Sequence, residues 1–240
     1  MCEDCRRARL GRRAFLGLAG AAVAAVATGF TAAPVRAAGG PRTDLTADRA
    51  LEKLTQGNAR YVSDAQVCAA DLGGQRAHVT GGQAPWATVL SCADSRVPPE
   101  LLFGGLGLGE LFVARNAGNL ADTGVLGTLE YGAAVLGVPL IVVLGHQKCG
   151  AVAAACDVAT KNATFPGSIG PMIEPIVPAA LAVKDAGGDL VTNAVKENAR
   201  RTVARILESS PIVAGLVKSG NVKVVPAFYE LDSGKVSFLA

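Results

Sequence analysis

Three side chains that commonly bind zinc stand at the predicted ends of two strands. Cys92 follows the apolar run 87–91, and His146 and Cys149 follow the apolar run 140–144. Sites in parallel sheets form at the carboxyl ends of strands, so these two loops can converge on one ion. Two thiolates and one imidazole with a fourth position open are typical of catalytic zinc. The pattern predicts a Zn²⁺ site, although a lone buried cysteine is often only a small hydrophobic residue.

An acid and a base lie two and four residues after Cys92. Because Asp94 and Arg96 leave an apolar strand, we expect both to be partly buried, where unpaired charges are costly. A mutual Asp94–Arg96 pair would satisfy both and leave one carboxylate oxygen to face the metal. The alternative is an ordinary ion pair on the surface.

Short apolar runs that alternate with helical patterns must position these residues. The strands are predicted over 87–91, 111–114, 140–144 and 222–227, and the helices over 47–62, 123–136, 151–159 and 190–207. Near-continuous apolar strands are typical of a parallel sheet that is buried on both faces. The alternation predicts an α/β fold, a single domain with a central, mostly parallel β-sheet flanked by helices. Asp44 and Thr46 are the candidate caps of the first helix.

The first 37 residues have the composition of an export signal. A segment rich in arginine is followed by an uncharged run over 14–35 and by the small-residue site Val35-Arg36-Ala37. This pattern predicts a cleaved signal peptide over 1–37 and a functional domain over 38–240. The pair Arg12-Arg13 resembles the twin-arginine signal, which predicts export to the periplasm or the exterior. An uncleaved membrane anchor is the alternative.

Removal of residues 1–37 takes six of the 23 basic and two of the 20 acidic residues, which leaves 17 basic and 18 acidic ones. A net charge of −1 argues against nucleic acid or, after cleavage, a membrane as a partner. Four cysteines remain, and a Cys68–Cys156 disulfide is left open by the sequence.

Two segments of the chain resemble the paired signatures of the β-class carbonic anhydrases: Cys92-Ala93-Asp94-Ser95-Arg96 and His146-Gln147-Lys148-Cys149-Gly150. Residues 51–61 resemble the N-terminal helix of that family, and residues 110–119 resemble its second strand and the turn that follows. The resemblance implies a β-carbonic anhydrase-like fold with Cys92, His146 and Cys149 as zinc ligands. It further implies that Asp94 and Arg96 form the catalytic dyad and that the substrate contacts Gln83, Phe112, Tyr131 and Gly150.

The activity implied by this resemblance is the reversible hydration of carbon dioxide to bicarbonate by zinc-bound hydroxide. Gln83 resembles a glutamine of the open-site branch of the family that binds substrate, and Val89 stands where the branch regulated by bicarbonate has tryptophan, which argues against that regulation. The family also implies a homodimer or a higher homo-oligomer, with an interface that helps to form each site. Hydrolysis of carbon disulfide or carbonyl sulfide and a non-catalytic zinc protein are the alternatives. Whether Asp94 or water is the fourth ligand at rest is left open.

Overall fold

A computed structural model describes residues 42–64 and 72–240, so the predicted signal peptide and Cys68 lie outside the described residues. The strands are β1 (Ala87–Cys92), β2 (Leu111–Asn116), β3 (Leu140–His146), β4 (Lys223–Tyr229) and β5 (Val236–Phe238). They form one sheet in the order β2-β1-β3-β4-β5. The pairs among β1 to β4 are parallel, and β5 is antiparallel to β4. The predicted α/β domain with a mostly parallel sheet is therefore confirmed.

The helices of the described residues are α1 (Ala47–Ser63), α2 (Leu72–Val79), α3 (Pro99–Leu102), α4 (Thr123–Glu130), α5 (Gly150–Lys161), α6 (Ile169–Ile173), α7 (Val177–Val183), α8 (Leu190–Ser209) and α9 (Pro211–Lys218). A π-helical turn, Tyr131–Val135, continues α4, and a 3₁₀ turn, Glu174–Ile176, joins α6 to α7. The four predicted helices are present, whereas the short helices α2, α3, α6, α7 and α9 were not predicted. Short helices leave little periodicity in the sequence, which explains why they were missed.

Alternation along the central strands explains how the sheet is covered on both faces. Val89 and Val142 point into a core with Leu54 of α1, and Leu90 and Ile141 point into a second core on the opposite face. Helices α4, α8 and α9 cover that second face. Because successive side chains of a strand point to opposite faces, strands covered on both sides must be apolar at nearly every position.

The edge strand β2 is less buried than the apolar run 111–114 predicted. Ala114 is the one buried residue of this strand, since β2 has a single neighbour in the chain. The first helix agrees with the prediction. The Thr46 hydroxyl caps α1 by accepting a hydrogen bond from the backbone N–H of Arg49, whereas Asp44 lies outside the cap.

Candidate metal centre and active site

The three predicted zinc ligands lie together at the carboxyl edge of the sheet. Cys92 is the last residue of β1, His146 is the last residue of β3, and Cys149 directly precedes α5. All three are buried, and their ligand atoms lie within 4.8 Å of one another. The parallel pairing of β1 with β3 brings the two strand ends side by side, which joins residues more than 50 positions apart in the chain.

The two sulfur atoms have the separation that a tetrahedral zinc site requires. Sγ of Cys92 lies 3.9 Å from Sγ of Cys149, and two Zn–S bonds of about 2.3 Å at a tetrahedral angle place the sulfurs about 3.8 Å apart. The contact between the two sulfur atoms lowers the pKa of Cys92 and raises the pKa of Cys149, as expected when two thiol groups share one proton. A cation between the sulfurs would replace that shared proton and allow both to be thiolates.

The imidazole of His146 presents one nitrogen to the same space. Nδ1 lies 2.9 Å from the carbonyl oxygen of Gln147, and a carbonyl can only accept, so Nδ1 carries the proton. Nε2 is buried and has no hydrogen-bond partner in the described part of the chain. A buried nitrogen with a free lone pair beside two cysteine sulfurs fits a metal ligand, with Gln147 fixing its tautomer.

Asp94 is held beside the ligands by Arg96. The guanidinium donates to both carboxylate oxygens, from Nε to Oδ1 at 2.9 Å and from Nη2 to Oδ2 at 2.6 Å. Oδ2 also lies 3.9 Å from Nε2 of His146. Hydrogen bonds from Arg96 hold the pKa of Asp94 well below its usual range, so the carboxylate only accepts hydrogen bonds near neutral pH.

Two details of the predicted pair are different in the structure. The side chain of Asp94 is 17% exposed, as expected, but that of Arg96 is 52% exposed. Neither carboxylate oxygen is left free, because Oδ2 faces the ligand atoms while it also accepts from Arg96. The residues after β1 turn outward, which lets the long arginine side chain reach solvent while it remains paired with Asp94.

Two further residues that were not predicted as site residues support the backbone of the site. Arg115 of β2 donates to the carbonyl oxygens of Cys92 at 2.9 Å and Asp94 at 2.6 Å. Gln147 accepts hydrogen bonds through Oε1 from the backbone N–H groups of Leu231 and Asp232. Both lie in segments that carry the family resemblance, which is the only signal in the sequence that could have found them.

The first turn of α5 lies at the metal centre. Its backbone N–H groups at Ala151 and Val152 stabilise negative charge on Cys149, as expected at the positive end of a helix. Gly150, a predicted substrate contact, is exposed, and the space that a side chain would occupy there is open. This position therefore leaves room beside Cys149.

Gln83, Phe112 and Tyr131 are not brought to the metal ligands of the same chain. Phe112 pairs with Thr88, four positions before Cys92 in β1, a distance of about 13 Å along a strand. Tyr131 packs near Phe112, with ring centroids 6.1 Å apart, and Gln83 is exposed in the loop before β1. These residues lie toward the amino ends of the strands, whereas the ligands lie at the carboxyl ends.

The remaining polar candidates lie outside the cluster. His78 is exposed near the end of α2. Cys156 is a buried free thiol in α5, and burial raises its pKa. Among residues 42–64 and 72–240, no helix is both long and apolar enough to cross a bilayer.

Comparison with known proteins identifies relatives along most of the chain. The family model described as carbonic anhydrase matches residues 87–236. The protein named Carbonic anhydrase 2 of Mycobacterium tuberculosis is 37% identical over 196 residues, which cover 81% of this chain and 93% of that protein. The protein named Carbonic anhydrase of Mycolicibacterium smegmatis is 37% identical over 187 residues, which cover 78% of this chain and 90% of the relative.

Solved structures agree with these relatives. The β-carbonic anhydrase of Coccomyxa in complex with acetazolamide is 31% identical with a TM-score of 0.62, and the match covers 79% of this chain and 86% of the other. A tetrameric β-carbonic anhydrase of Sordaria macrospora shares the fold at 24% identity, with a TM-score of 0.62 over 79% of this chain and 96% of the other. The matched family model, these relatives and the buried Cys–His–Cys cluster together show that the chain belongs to the β-class carbonic anhydrase family.

Proposed function

We propose that this protein catalyses the zinc-dependent, reversible hydration of carbon dioxide to bicarbonate. The observation that carries the proposal is the buried cluster of Cys92, His146 and Cys149 with the Asp94 carboxylate beside it. The relatives named carbonic anhydrase along most of the chain support the same activity. A buried imidazole nitrogen without a hydrogen-bond partner destabilises an apolar region. A zinc ion bound to this nitrogen and to the two nearby sulfurs would remove that cost.

When bound, Zn²⁺ supplies a Lewis acid that makes water nucleophilic near neutral pH. The chain supplies two sulfurs and one nitrogen to hold the ion. Asp94 accepts a hydrogen bond from the attacking water and so orients its lone pair toward carbon dioxide. A bond forms between the water oxygen and the carbon, one C–O π bond opens onto its oxygen, and a proton leaves to solvent. Arg96 keeps Asp94 in position as an acceptor.

The open-site form of the centre is part of this proposal. Both carboxylate oxygens of Asp94 are bonded to Arg96, so the carboxylate is restrained from becoming the fourth ligand. Titration of azide into the cobalt-substituted protein at neutral pH tests this form. An open position binds the anion and shifts the visible absorption of cobalt, whereas a site closed by Asp94 leaves the spectrum unchanged.

We also propose a homodimer, or a higher homo-oligomer built from it, in which each carbon dioxide pocket is lined from two chains. The support is the position of Phe112 near the amino end of β2, away from the ligands, with the ring of Tyr131 packed beside it and 49% exposed despite its size. The Sordaria macrospora relative is described as tetrameric. Light scattering on the purified protein tests the assembly, and a monomer at working concentration would contradict it.

Export by the twin-arginine route is a proposal that rests on sequence alone, since residues 1–37 lie outside the described residues. Its support is the Arg12-Arg13 pair, the uncharged run and the small-residue site at Ala37. N-terminal sequencing of the exported protein should begin at Ala38. Replacement of both arginines with lysine should retain the protein inside the cell, and unchanged export would refute this route.

Stopped-flow measurement of carbon dioxide hydration tests the activity, with zinc content determined on the same sample. We expect one zinc per chain and turnover that is lost in Cys149→Ala. Full zinc occupancy without hydration would overturn the proposal. Parallel assays with carbon disulfide and carbonyl sulfide would then separate a hydrolase on the same scaffold from a non-catalytic zinc protein.

A further inference from the structure

We propose that Asn198 is a positioning residue for the Cys92 thiolate, to which it is connected through the backbone C=O and N–H groups of Gly118. Asn198 lies on α8, more than 100 positions from Cys92, and neither metal-ligand motif includes it. The inference rests on the proposed function only in requiring that the cluster binds a metal ion.

Two hydrogen bonds connect Asn198 to the sulfur atom. Nδ2 of Asn198 donates to the carbonyl oxygen of Gly118 at 2.9 Å. The backbone N–H of Gly118 donates to Sγ of Cys92 at 3.4 Å. Asn198 is 2% exposed, and its hydrogen bond to Gly118 is buried. Water therefore does not compete for the side-chain amide of Asn198 or for the carbonyl oxygen of Gly118.

The conformation of the turn at Gly118 is restricted by its backbone angle and by its neighbours. Gly118 has φ +82°, a conformation that only glycine adopts readily. A β-carbon at this position would lie 2.6 Å from Cδ1 of Ile176 and 3.4 Å from Cβ of Ala151. Ile176 and α5 therefore limit the turn on one side, and Asn198 holds its carbonyl oxygen. Together these contacts fix the direction of the N–H that meets the sulfur.

An N–H group that points at a thiolate has a specific effect on a metal centre. It holds the sulfur in the geometry of the ligand set, and it withdraws charge from the sulfur, so the ion keeps more of its positive charge. Loss of Asn198 would free the carbonyl group of Gly118 to move. Because the N–H of the same residue turns with the backbone at its Cα, this loss would weaken the contact with Cys92 without touching any ligand.

A purely structural role for Asn198 makes a different prediction, and Asn58 provides the matched control. Asn58 is 5% exposed on α1 and donates to the carbonyl oxygens of Leu102 at 3.0 Å and Gly234 at 2.9 Å. It also accepts from the backbone N–H of Val236. Its hydrogen bonds join α1 to the end of α3, to the turn before β5 and to the start of β5, and none of them reaches a metal ligand. If general destabilisation were responsible, Asn58→Leu should disturb the metal centre at least as much as Asn198→Leu.

The experiment compares full-length, zinc-loaded wild type, Asn198→Leu and Asn58→Leu. Transfer of zinc to a chromophoric chelator gives the release rate, and the cobalt-substituted proteins give the sulfur-to-cobalt charge-transfer band. We expect release about 10-fold faster and a shifted band in Asn198→Leu. Asn58→Leu should melt at a lower temperature but keep the wild-type band and release rate.

Wild-type values for Asn198→Leu, or equal changes in both variants, would overturn the inference. If Asn198→Leu does not fold, Asn198→Ala removes the donor with a smaller side chain and is measured in the same way. Neither readout needs turnover, so a failure of carbon dioxide hydration in the zinc-loaded wild type would count against the proposed function alone. A wild type that takes up no zinc would overturn both.

Discussion

Arg96 donates hydrogen bonds to both carboxylate oxygens of Asp94, and Oδ2 of Asp94 lies 3.9 Å from Nε2 of His146. The carboxylate is thus close enough to the metal ligands to accept a hydrogen bond from water there. The bidentate contact with Arg96 also restrains it from turning further inward. This relationship makes Arg96 the residue on which the state of the fourth metal position depends.

Replacement of Arg96 with alanine should therefore lower kcat/KM for carbon dioxide hydration by about 100-fold or more, because Asp94 loses its orientation. Arg96→Lys should recover little, since an ammonium cannot make the bidentate contact. Stopped-flow kinetics on zinc-loaded protein measures the effect. Arg201→Ala is the matched control, since Arg201 pairs with Glu197 at 2.7 Å and is 48% exposed on α8. Similar rates in the two alanine variants would refute the role of Arg96.

The charge of the ligand set predicts the direction of the pH dependence. Two thiolates and a neutral imidazole cancel the charge of Zn²⁺, so the site stabilises hydroxide less than three histidines would. We expect kcat to rise between about pH 6.5 and pH 9, as the activated water loses its proton. A pH–rate profile that is flat over this range would contradict the charge argument.

The stability of the protein should also depend on pH, through Glu110, which directly precedes β2 at the other end of the sheet. Burial raises the pKa of Glu110, but hydrogen bonds from Lys53 Nζ, the backbone N–H of Gly107 and the Trp86 indole outweigh it, and the pKa is lowered. A lowered pKa favours the folded state above the ordinary pKa of the carboxyl group, and this contribution is lost as the pH falls through the lowered value.

Glu110→Gln should therefore lower the melting temperature at pH 7, and the difference from wild type should shrink below about pH 4. Thermal melts across this range measure it. Glu52→Gln is the control, because the Arg49–Glu52 pair is more than half exposed on both sides and such pairs contribute little. A difference for Glu110→Gln that does not change with pH would contradict the ionic explanation.

Mixing two inactive variants tests whether each pocket is lined from two chains. Cys149→Ala removes a metal ligand. Tyr131→Ala removes an aromatic side chain that we propose lines the carbon dioxide pocket and that is remote from the ligands of its own chain. If Tyr131 serves the site of a second copy, a mixed dimer contains one intact site. Co-expression at equal levels should then recover about a quarter of wild-type activity. If Tyr131 serves its own chain, no intact site forms, and activity stays at the level of the separate variants.

Zinc removal should lower stability, because the ion binds the folded cluster more tightly than the unfolded chain. We expect the melting temperature to fall by several degrees with a strong chelator and to recover when zinc is added back. Cys149→Ala should lose the zinc-dependent increase. Cys156→Ala should keep it, since Cys156 lies in α5, which begins directly after Cys149, but is not part of the ligand cluster. A zinc-dependent increase that survives in Cys149→Ala would place the ion elsewhere.

The sequence determined the fold class and the metal ligands of this protein because both leave local signals. Near-continuous apolar strands such as 140–144 are typical of a parallel sheet, and residues that directly follow its strands lie at its carboxyl edge. Residue type and position indicated a Zn²⁺ site at this edge, and the resemblance of the two motifs to the family implied Cys92, His146 and Cys149 as its ligands. The same reasoning missed the short helices and predicted too much burial for β2 and Arg96. The pattern of apolar residues along the sequence does not show that β2 is an edge strand or that the chain turns outward before Arg96.

Only the tertiary structure decided which distant residues act together. Strand register places Phe112 opposite Thr88, at the end of the sheet away from the zinc ligands of its own chain. Helix packing brings Asn198 to the carbonyl oxygen of Gly118, and strand pairing brings Arg115 to the backbone of Cys92 and Asp94. Such contacts depend on how whole elements dock. A hydrogen bond between residues 80 positions apart has no signature in the residues beside either partner.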